Sequence, residues 1–223
     1  FQNWKYEAQN DQDLQPVFDS FQDTFYDTRT VTQELRLTSP TDGKFDYILG
    51  VYFADGNTDR RFTRIAPNIP PLRQNWDSNA TIRNYAAFAQ LGYDLSPKTI
   101  VSLGARLNHE EISVEFRDLR PGREATFRGD DAETAFTGRL ALQHFLDNGM
   151  MAFASIATGY KGQAFDISSG FNQRRADNPI RSESSVAYEI GLKGQAFDNM
   201  AQFQLVGFWV DYEDFQAQGI NNE

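Results

Sequence analysis

The sequence predicts an all-β chain: the wall of an antiparallel, up-and-down transmembrane β-barrel, present as a fragment of about nine strands. Three observations predict it. Alternate residues swap between apolar and polar over stretches too long for an ordinary core strand. Short turns and long loops strictly alternate along the chain. The polar face carries Arg, Glu, Asn, Gln and Gly, as a wet or plugged lumen requires, while the other face is aliphatic and aromatic as lipid requires.

The pattern is clearest in NYAAFAQLGYDLSPKTIVSLGARLNHEE, residues 84–111. Tyr85, Ala87, Ala89, Leu91, Tyr93 and Leu95 share one face, with Asn84, Gln90 and Asp94 on the other. A Ser96-Pro97-Lys98 turn follows, after which Val101, Leu103, Ala105 and Leu107 alternate with Ser102, Gly104, Arg106, Asn108 and Glu110. The pair reads as a hairpin.

Taken in order, Phe1 to Ala8 reads as the end of a strand and Gln9 to about Asp27 as a long acidic loop. Thr28 to Ser39 alternates with Val31, Leu35 and Leu37 on one side, and Pro40 to Gly43 turns it. Phe45, Tyr47, Leu49, Val51 and Phe53 form the next apolar face. The second long loop runs from about Gly56 to Asp77, where Pro67, Pro70 and Pro71 exclude a central strand. After the hairpin, Leu119 to Asp131 reads as a third loop. Phe136, Leu140, Leu142 and Leu146 are in phase on a strand turned by Asp147-Asn148-Gly149. The strand that returns, Met150 to Tyr160, is rich in small residues and its facing is left open. A fourth loop spans Lys161 to Glu183. Val186, Tyr188, Ile190 and Leu192 then face one way, Asp198-Asn199 turns, and Met200 to about Phe215 closes the pattern. The hexapeptide KGQAFD recurs at 161–166 and 193–198, but at opposite ends of the predicted wall, so it is no structural repeat.

Composition excludes other classes. No apolar run approaches the roughly 18 residues a spanning helix needs. With no Cys, neither a disulfide scaffold nor thiol chemistry is available. A net charge of -10 with scattered basic residues disfavours nucleic acid as a partner. The chain starts at Phe1 without a signal-peptide pattern, and is expected to begin inside something longer.

Enzyme signatures are missing, and no catalytic residue, cofactor or metal site is assigned. His109-Glu110-Glu111 lacks a second His four residues on, and His144 stands on another strand. Ser168-Ser169 has no base beside it in the sequence. Asp11, Asp13, Asp19 and Asp23 lack the spacing and glycine of a calcium loop. Asn79-Ala80-Thr81 matches a glycosylation acceptor, which would mean nothing in a bacterial envelope.

The better candidates are arginines placed in the long loops. Arg60, Arg61, Arg64, Arg174 and Arg175, with Phe62, Phe165 and Phe171 near them, suit an anionic, partly aromatic ligand such as a ferric chelate through bidentate pairing and stacking. The alternative is that they pair with loop aspartates or with lipopolysaccharide phosphates. Tyr47, Tyr93 and Tyr188 fit anchoring at a membrane interface, and equally fit simple packing on a soluble sheet. Glu34, Arg36, Arg106, Glu110, Arg139, Glu189 and Lys193 would line a lumen and meet a polar plug, though a solvated sheet face would look the same in sequence.

Several segments resemble the barrel of TonB-dependent outer-membrane receptors: QELRLTSP at 33–40, NYAAFAQLGYDL at 84–95, ATGYKGQAFD at 157–166, SSVAYEIGLKG at 184–194 and FWVDYEDFQ at 208–216. Their order resembles that family over almost the whole chain. The resemblance implies a 22-stranded, plugged barrel in the bacterial outer membrane, with an N-terminal plug and a TonB box that engages the TonB system. Plug, box and C-terminal strands are expected to lie outside this chain. The implied function is energy-coupled uptake of a siderophore or similar nutrient, with outer-membrane lipid and lipopolysaccharide around it. A passive porin-like channel and a soluble all-β binding module are the alternatives.

Overall fold

The computed structural model describes residues 1–11, 21–40, 43–65, 73–147, 149–196 and 200–217. Among them are nine strands: β1 (Gln2–Asp11), β2 (Phe21–Thr38), β3 (Phe45–Ile65), β4 (Gln74–Ser96), β5 (Thr99–Asp118), β6 (Ala125–Phe145), β7 (Met151–Lys161), β8 (Glu183–Ala196) and β9 (Ala201–Glu213). One short helix, α1 (Gln173–Ala176), precedes β8. The strands form a single sheet in sequence order, every neighbour antiparallel. This is the up-and-down wall that the alternation predicts.

Register turns the alternation into rows. Tyr47, Leu91, Leu103, Leu140, Ile156, Tyr188 and Trp209 stand opposite one another across seven strands. Neighbouring rows align Leu35, Val51, Ala87, Leu107 and Phe136, and, nearer the short turns, Phe45, Tyr93, Val101, Leu142, Ala154 and Ile190. Nothing covers these rows among the described residues: Leu35 is 73% exposed, Phe136 69% and Ile190 68%. In water so much contiguous apolar surface would drive association; lipid removes the cost.

The band has the height a bilayer demands. On β4 it runs from Tyr85 to Tyr93, on β3 from Phe45 to Phe53, and on β5 from Val101 to His109. Each is nine residues, inside the ~9–11 that a tilted spanning strand needs. Aromatic rings mark both edges. Phe53 and Tyr85 lie 5.3 Å apart and Tyr85 and His109 6.4 Å apart at the upper edge, and Phe45 and Tyr47 6.0 Å apart at the lower. Tyr47, Tyr93 and Tyr188 thus stand where interfacial anchors belong.

Three predicted loop boundaries are corrected. β4 has 23 residues and β3 has 21, because both continue well beyond the apolar band. Residues 56–65 and 74–77 are strand, as are Gln9–Asp11 and 21–27. The predicted third loop shrinks to residues 119–124: Arg120, Pro121, Gly122 and Arg123 make a tight turn closed by Arg123 N–H to the Arg120 carbonyl at 2.9 Å, with Gly122 at φ +74. Above the band the outer face turns polar, so the apolar row that marks the strands in sequence ends there while the backbone ladder continues. Polar cross-strand pairs replace the apolar ones: Asp55 with Arg83 at 2.8 Å, Asp77 with Arg117 at 2.7 Å and Glu115 with Arg128 at 2.7 Å.

The end of β2 meets the start of β3, the end of β4 that of β5 and the end of β6 that of β7 at the lower rim, whereas the end of β5 and start of β6, and the end of β7 and start of β8, lie at the other. The predicted turn residues Asn148, Asp198 and Asn199, part of the Pro40–Gly43 turn, and Asp13 and Asp19 fall outside the described residues. Asp11 and Asp23 lie on β1 and β2. Lys161 and Lys193 sit at opposite ends of the β7–β8 ladder, so the two KGQAFD copies begin at opposite rims.

Candidate ligand-binding wall

The face opposite the band carries the polar positions, including Glu34, Arg36, Arg106, Glu110, Arg139, Glu189 and Lys193. Followed upward past the band, the same phase delivers Tyr26, Phe62, Trp76, Val114, Phe116 and Phe127 to one patch. The rings of Phe62 and Trp76 lie 5.2 Å apart, Trp76 and Phe116 5.1 Å, and Phe116 and Phe127 6.4 Å. Trp76 and Phe116 are each 2% exposed, which an open sheet face alone would not achieve. What buries them is the connection between β7 and β8.

That connection folds back onto the wall. Its neck is closed by an antiparallel bridge between Ala164 and Ile180. Gln216 staples the neck from beyond β9, its Nε2 donating to the carbonyls of Gly162 at 2.9 Å and Arg181 at 2.7 Å. At the head, Asn172 caps α1 by accepting from the Arg175 N–H at 3.1 Å. Phe171 enters the aromatic patch with its ring 5.1 Å from Phe116, and Phe165 and Ile167 pack at its margin. Ala176 seats α1 against Gly129, where any Cβ would overlap the Ala176 backbone carbonyl. Gln173 Nε2 donates to the Arg128 carbonyl at 2.9 Å, and Trp76 Nε1 to Ser169 Oγ at 3.4 Å.

The predicted arginines divide. Arg60, Arg61 and Arg64 are on β3 rather than in a loop, a correction that follows from the polar upper strands. Arg60 lies between two rings, 4.9 Å from the centroid of Tyr26 and 4.8 Å from that of Trp76, and donates from Nη1 to the Ile167 carbonyl at 3.2 Å. It therefore ties loop to wall. Arg64 stands on the same face, 5.4 Å from the Phe62 centroid and 2.7 Å from Gln22 Oε1. The Nε atoms of Arg60 and Arg64 are buried without a partner. Arg61 points to the opposite face, over Phe25 at 5.9 Å. On the loop, Arg175 reaches Asp166 at 3.2 Å and Ser168 Oγ at 2.7 Å, and Arg174 is exposed on α1. The structure thus gathers Arg60, Arg64, Phe165, Phe171, Arg174 and Arg175 at one rim and separates Arg61 from them.

At this rim, beyond the band, burial raises the carboxyl of Asp118, but hydrogen bonds from the Arg120 side chain and backbone N–H outweigh it and hold it below its ordinary value. The turn is therefore clamped by an ion pair at neutral pH. Sequence reasoning missed Tyr26, Trp76 and Phe116, yet a signal was present: they continue the polar-face phase of their strands. His109 and His144 both lie on strands, each Nδ1 2.9 Å from a threonine hydroxyl.

One sheet with a bare nine-residue apolar band, and a loop folded onto the other face, defines the class: a segment of membrane-type barrel wall. The chain belongs to the TonB-dependent receptor-like β-barrel family, whose model matches residues 1–223. It is 23% identical over 187 residues to the pesticin receptor of Yersinia enterocolitica, a match covering 82% of this chain and 27% of that protein. Among solved structures it is similar to the ferric yersiniabactin uptake receptor FyuA from Yersinia pestis, with a TM-score of 0.77 and 19% identity over 92% of this chain and 32% of that one. It is also similar to the alcaligin outer membrane receptor FauA from Bordetella pertussis, with a TM-score of 0.57 and 14% identity over 92% of this chain and 32% of that one. The chain therefore spans about a third or less of the relatives it matches, and the structural likeness concerns the fold.

Proposed function

We propose that this chain is part of the barrel of an energy-coupled outer-membrane receptor that takes up a siderophore or a similar organic nutrient too large or too scarce for a porin. In this reading a 22-strand type barrel is completed by strands elsewhere in the protein, an N-terminal plug fills it, and a TonB box before the plug receives energy from the inner membrane. Lipid and lipopolysaccharide surround the band, and no bond is made or broken. The names of the relatives support a receptor: pesticin, ferric yersiniabactin and alcaligin receptors are among them.

The observation that carries the reading is the inner rim. A guanidinium held between two rings beside a docked loop offers charge and stacking together, which suits an anionic, partly aromatic chelate. Arg60, Arg64, Phe165, Phe171, Arg174 and Arg175 are the proposed contacts; Arg61 is retained only as an outer-face residue.

The test is uptake by cells whose sole receptor is the full-length protein, supplied with radiolabelled iron bound to purified ferric siderophores. Expected are saturable accumulation and its loss when the proton gradient is collapsed or TonB is deleted. Non-saturable entry that survives both treatments would establish a passive channel instead. Recovery in the aqueous fraction without detergent would establish a soluble module.

A further inference from the structure

We propose that a small polar cavity on the outer face of the wall, above the apolar band, binds one sugar ring of an outer-leaflet glycolipid through its hydroxyls and not through phosphate. The cavity, about 250 Å³, is lined by Phe25, Asp27, Asp59, Arg61, Asp77 and Asn79 among others. Phe25 and Asp27 share the phase of Leu35 on β2, Asp59 and Arg61 that of Val51 on β3, and Asp77 and Asn79 that of Ala87 on β4. This is the face turned away from the lumen, so a plug inside the barrel does not reach it. Each of the strands β2 to β5 has both neighbours within this chain, so no strand elsewhere in the protein is needed to complete the site.

The cavity holds acceptors that the wall leaves unsatisfied. Asp27 is 6% exposed, and both cations that reach it, Lys5 Nζ at 3.3 Å and Arg29 Nη2 at 3.4 Å, go to the same oxygen, Oδ2. Its Oδ1 is buried without a donor. Directly across the ladder stands Asp59, a like charge where an opposite one would stabilise the pair. Asp59 Oδ1 accepts from Asn79 Nδ2 at 2.8 Å, and the Asn79 amide also pairs with that of Asn57 at 3.2 Å. Two adjacent carboxylates with acceptor capacity left over call for hydroxyl donors. Phe25 supplies a half-buried ring on which the apolar face of a sugar packs, with the Arg61 guanidinium 5.9 Å from its centroid.

Height and charge decide the occupant. Asp59 stands six residues beyond Phe53, the top of the band on β3. At about 3.4 Å per residue and a tilt of about 35–45°, that is roughly 14–17 Å of height. The headgroup layer on either side of the hydrocarbon is only about 5–8 Å deep, so phosphates at the membrane surface lie below the cavity and sugars stand level with it. Among the charged lining residues Asp27, Asp59, Asp77 and Glu115 outnumber Arg60, Arg61 and Arg117, and Arg117 is already engaged bidentately by Asp77. A phosphate would thus meet more repulsion than attraction. Nor do three carboxylate or imidazole groups converge among the described residues, as a directly bound metal ion would need.

The source of the ring rests on the outer-membrane reading; the site itself is tested without a membrane. The detergent-purified full-length receptor is titrated, by saturation-transfer NMR, with the core oligosaccharide released from lipopolysaccharide by mild acid, before and after dephosphorylation. Expected is saturable binding whose Kd stays within about twofold between the two preparations, in about 1 M NaCl and in EDTA. Phe25→Ala, Asp27→Ala and Asp59→Ala each raise the Kd at least about fivefold, the loss of one hydrogen bond or its equivalent in packing, with heat-modifiable gel mobility reporting the folded barrel. Glu111→Gln, nearer the band on the same face, leaves it unchanged. Should Asp27→Ala fail to fold, Phe25→Ala and Asp59→Ala carry the comparison. Binding that requires the phosphate or disappears in salt would reveal anion capture, and loss in EDTA a bridging cation. Either result, an absence of saturable binding, or variants that bind as the wild type does, overturns the site. Partition of the receptor into the aqueous fraction without detergent would overturn the outer-membrane reading and leave this binding result standing.

Discussion

Phe171 and Gly129 divide between them the work of holding the β7–β8 loop to the wall. Burying a phenylalanine ring is worth roughly 1.5–3 kcal/mol, and Phe171 is 5% exposed against Phe116. The neck is tied independently by Gln216 and the Ala164–Ile180 bridge. Phe171→Ala should therefore undock the head alone. In the full-length receptor, amides of 168–176 are expected to exchange at least tenfold faster, with the global unfolding midpoint unchanged. Gly129→Ala should produce the same local release for a different reason, since the new Cβ overlaps a backbone carbonyl that no rotamer can move. Unaltered protection of 168–176 in Gly129→Ala would refute the close approach. At this scale the sequence offered half of the site. Phe165, Phe171 and Arg60 stand out as aromatic and basic residues in polar stretches; Trp76 and Phe116 do not, because only the β4–β5 register sets them side by side.

The strands themselves were legible only as far as lipid reaches. Within the band one face must be apolar, and period two follows. From Gly56 on β3 and from Asn84 back to Gln74 on β4 the outer face carries polar partners, and on the inner face Phe62 and Trp76 stand among polar residues, so no sustained apolar alternation marks the ladder. Pro67, Pro70 and Pro71 lie outside the described residues, and the strands on either side run up to Ile65 and from Gln74. Arg117 and Asp77 illustrate the substitute chemistry, with Nε at 2.7 Å and Nη2 at 2.8 Å from the two carboxylate oxygens. The pair is exposed on the arginine side, so a double-mutant cycle with alanines should give a coupling of only about 0.2–1 kcal/mol. The coupling should fade further in 1 M salt, where the Debye length is about 3 Å. It is read from exchange protection of 75–79 and 113–118, and a coupling unaffected by salt would mean that the pair is held by something other than an exposed ion pair.

For the whole molecule, the sheet makes physical sense only if one side of it sits in hydrocarbon from the Tyr93 row to the Tyr85 row. Ala105, in register with Ala89 and Gly138, stands midway up that band, and Ser113, eight residues further along β5, stands on the same face among polar rows. If the band faces lipid, charge should be costly at the first position and tolerated at the second. Arginine on the lipid face costs about 2–4 kcal/mol at the midplane and about 0–1 near the interface. Ala105→Arg in the full-length receptor, refolded into phospholipid vesicles and titrated with urea, should lose stability on the order of 2–4 kcal/mol. Ser113→Arg should lose no more than about 1 kcal/mol. In water no such gradient with height exists, because an exposed face accepts arginine equally well at either position. Equal losses for the two variants would thus place this face against protein or solvent, and with it would fall the assignment of the nine-residue band to the bilayer.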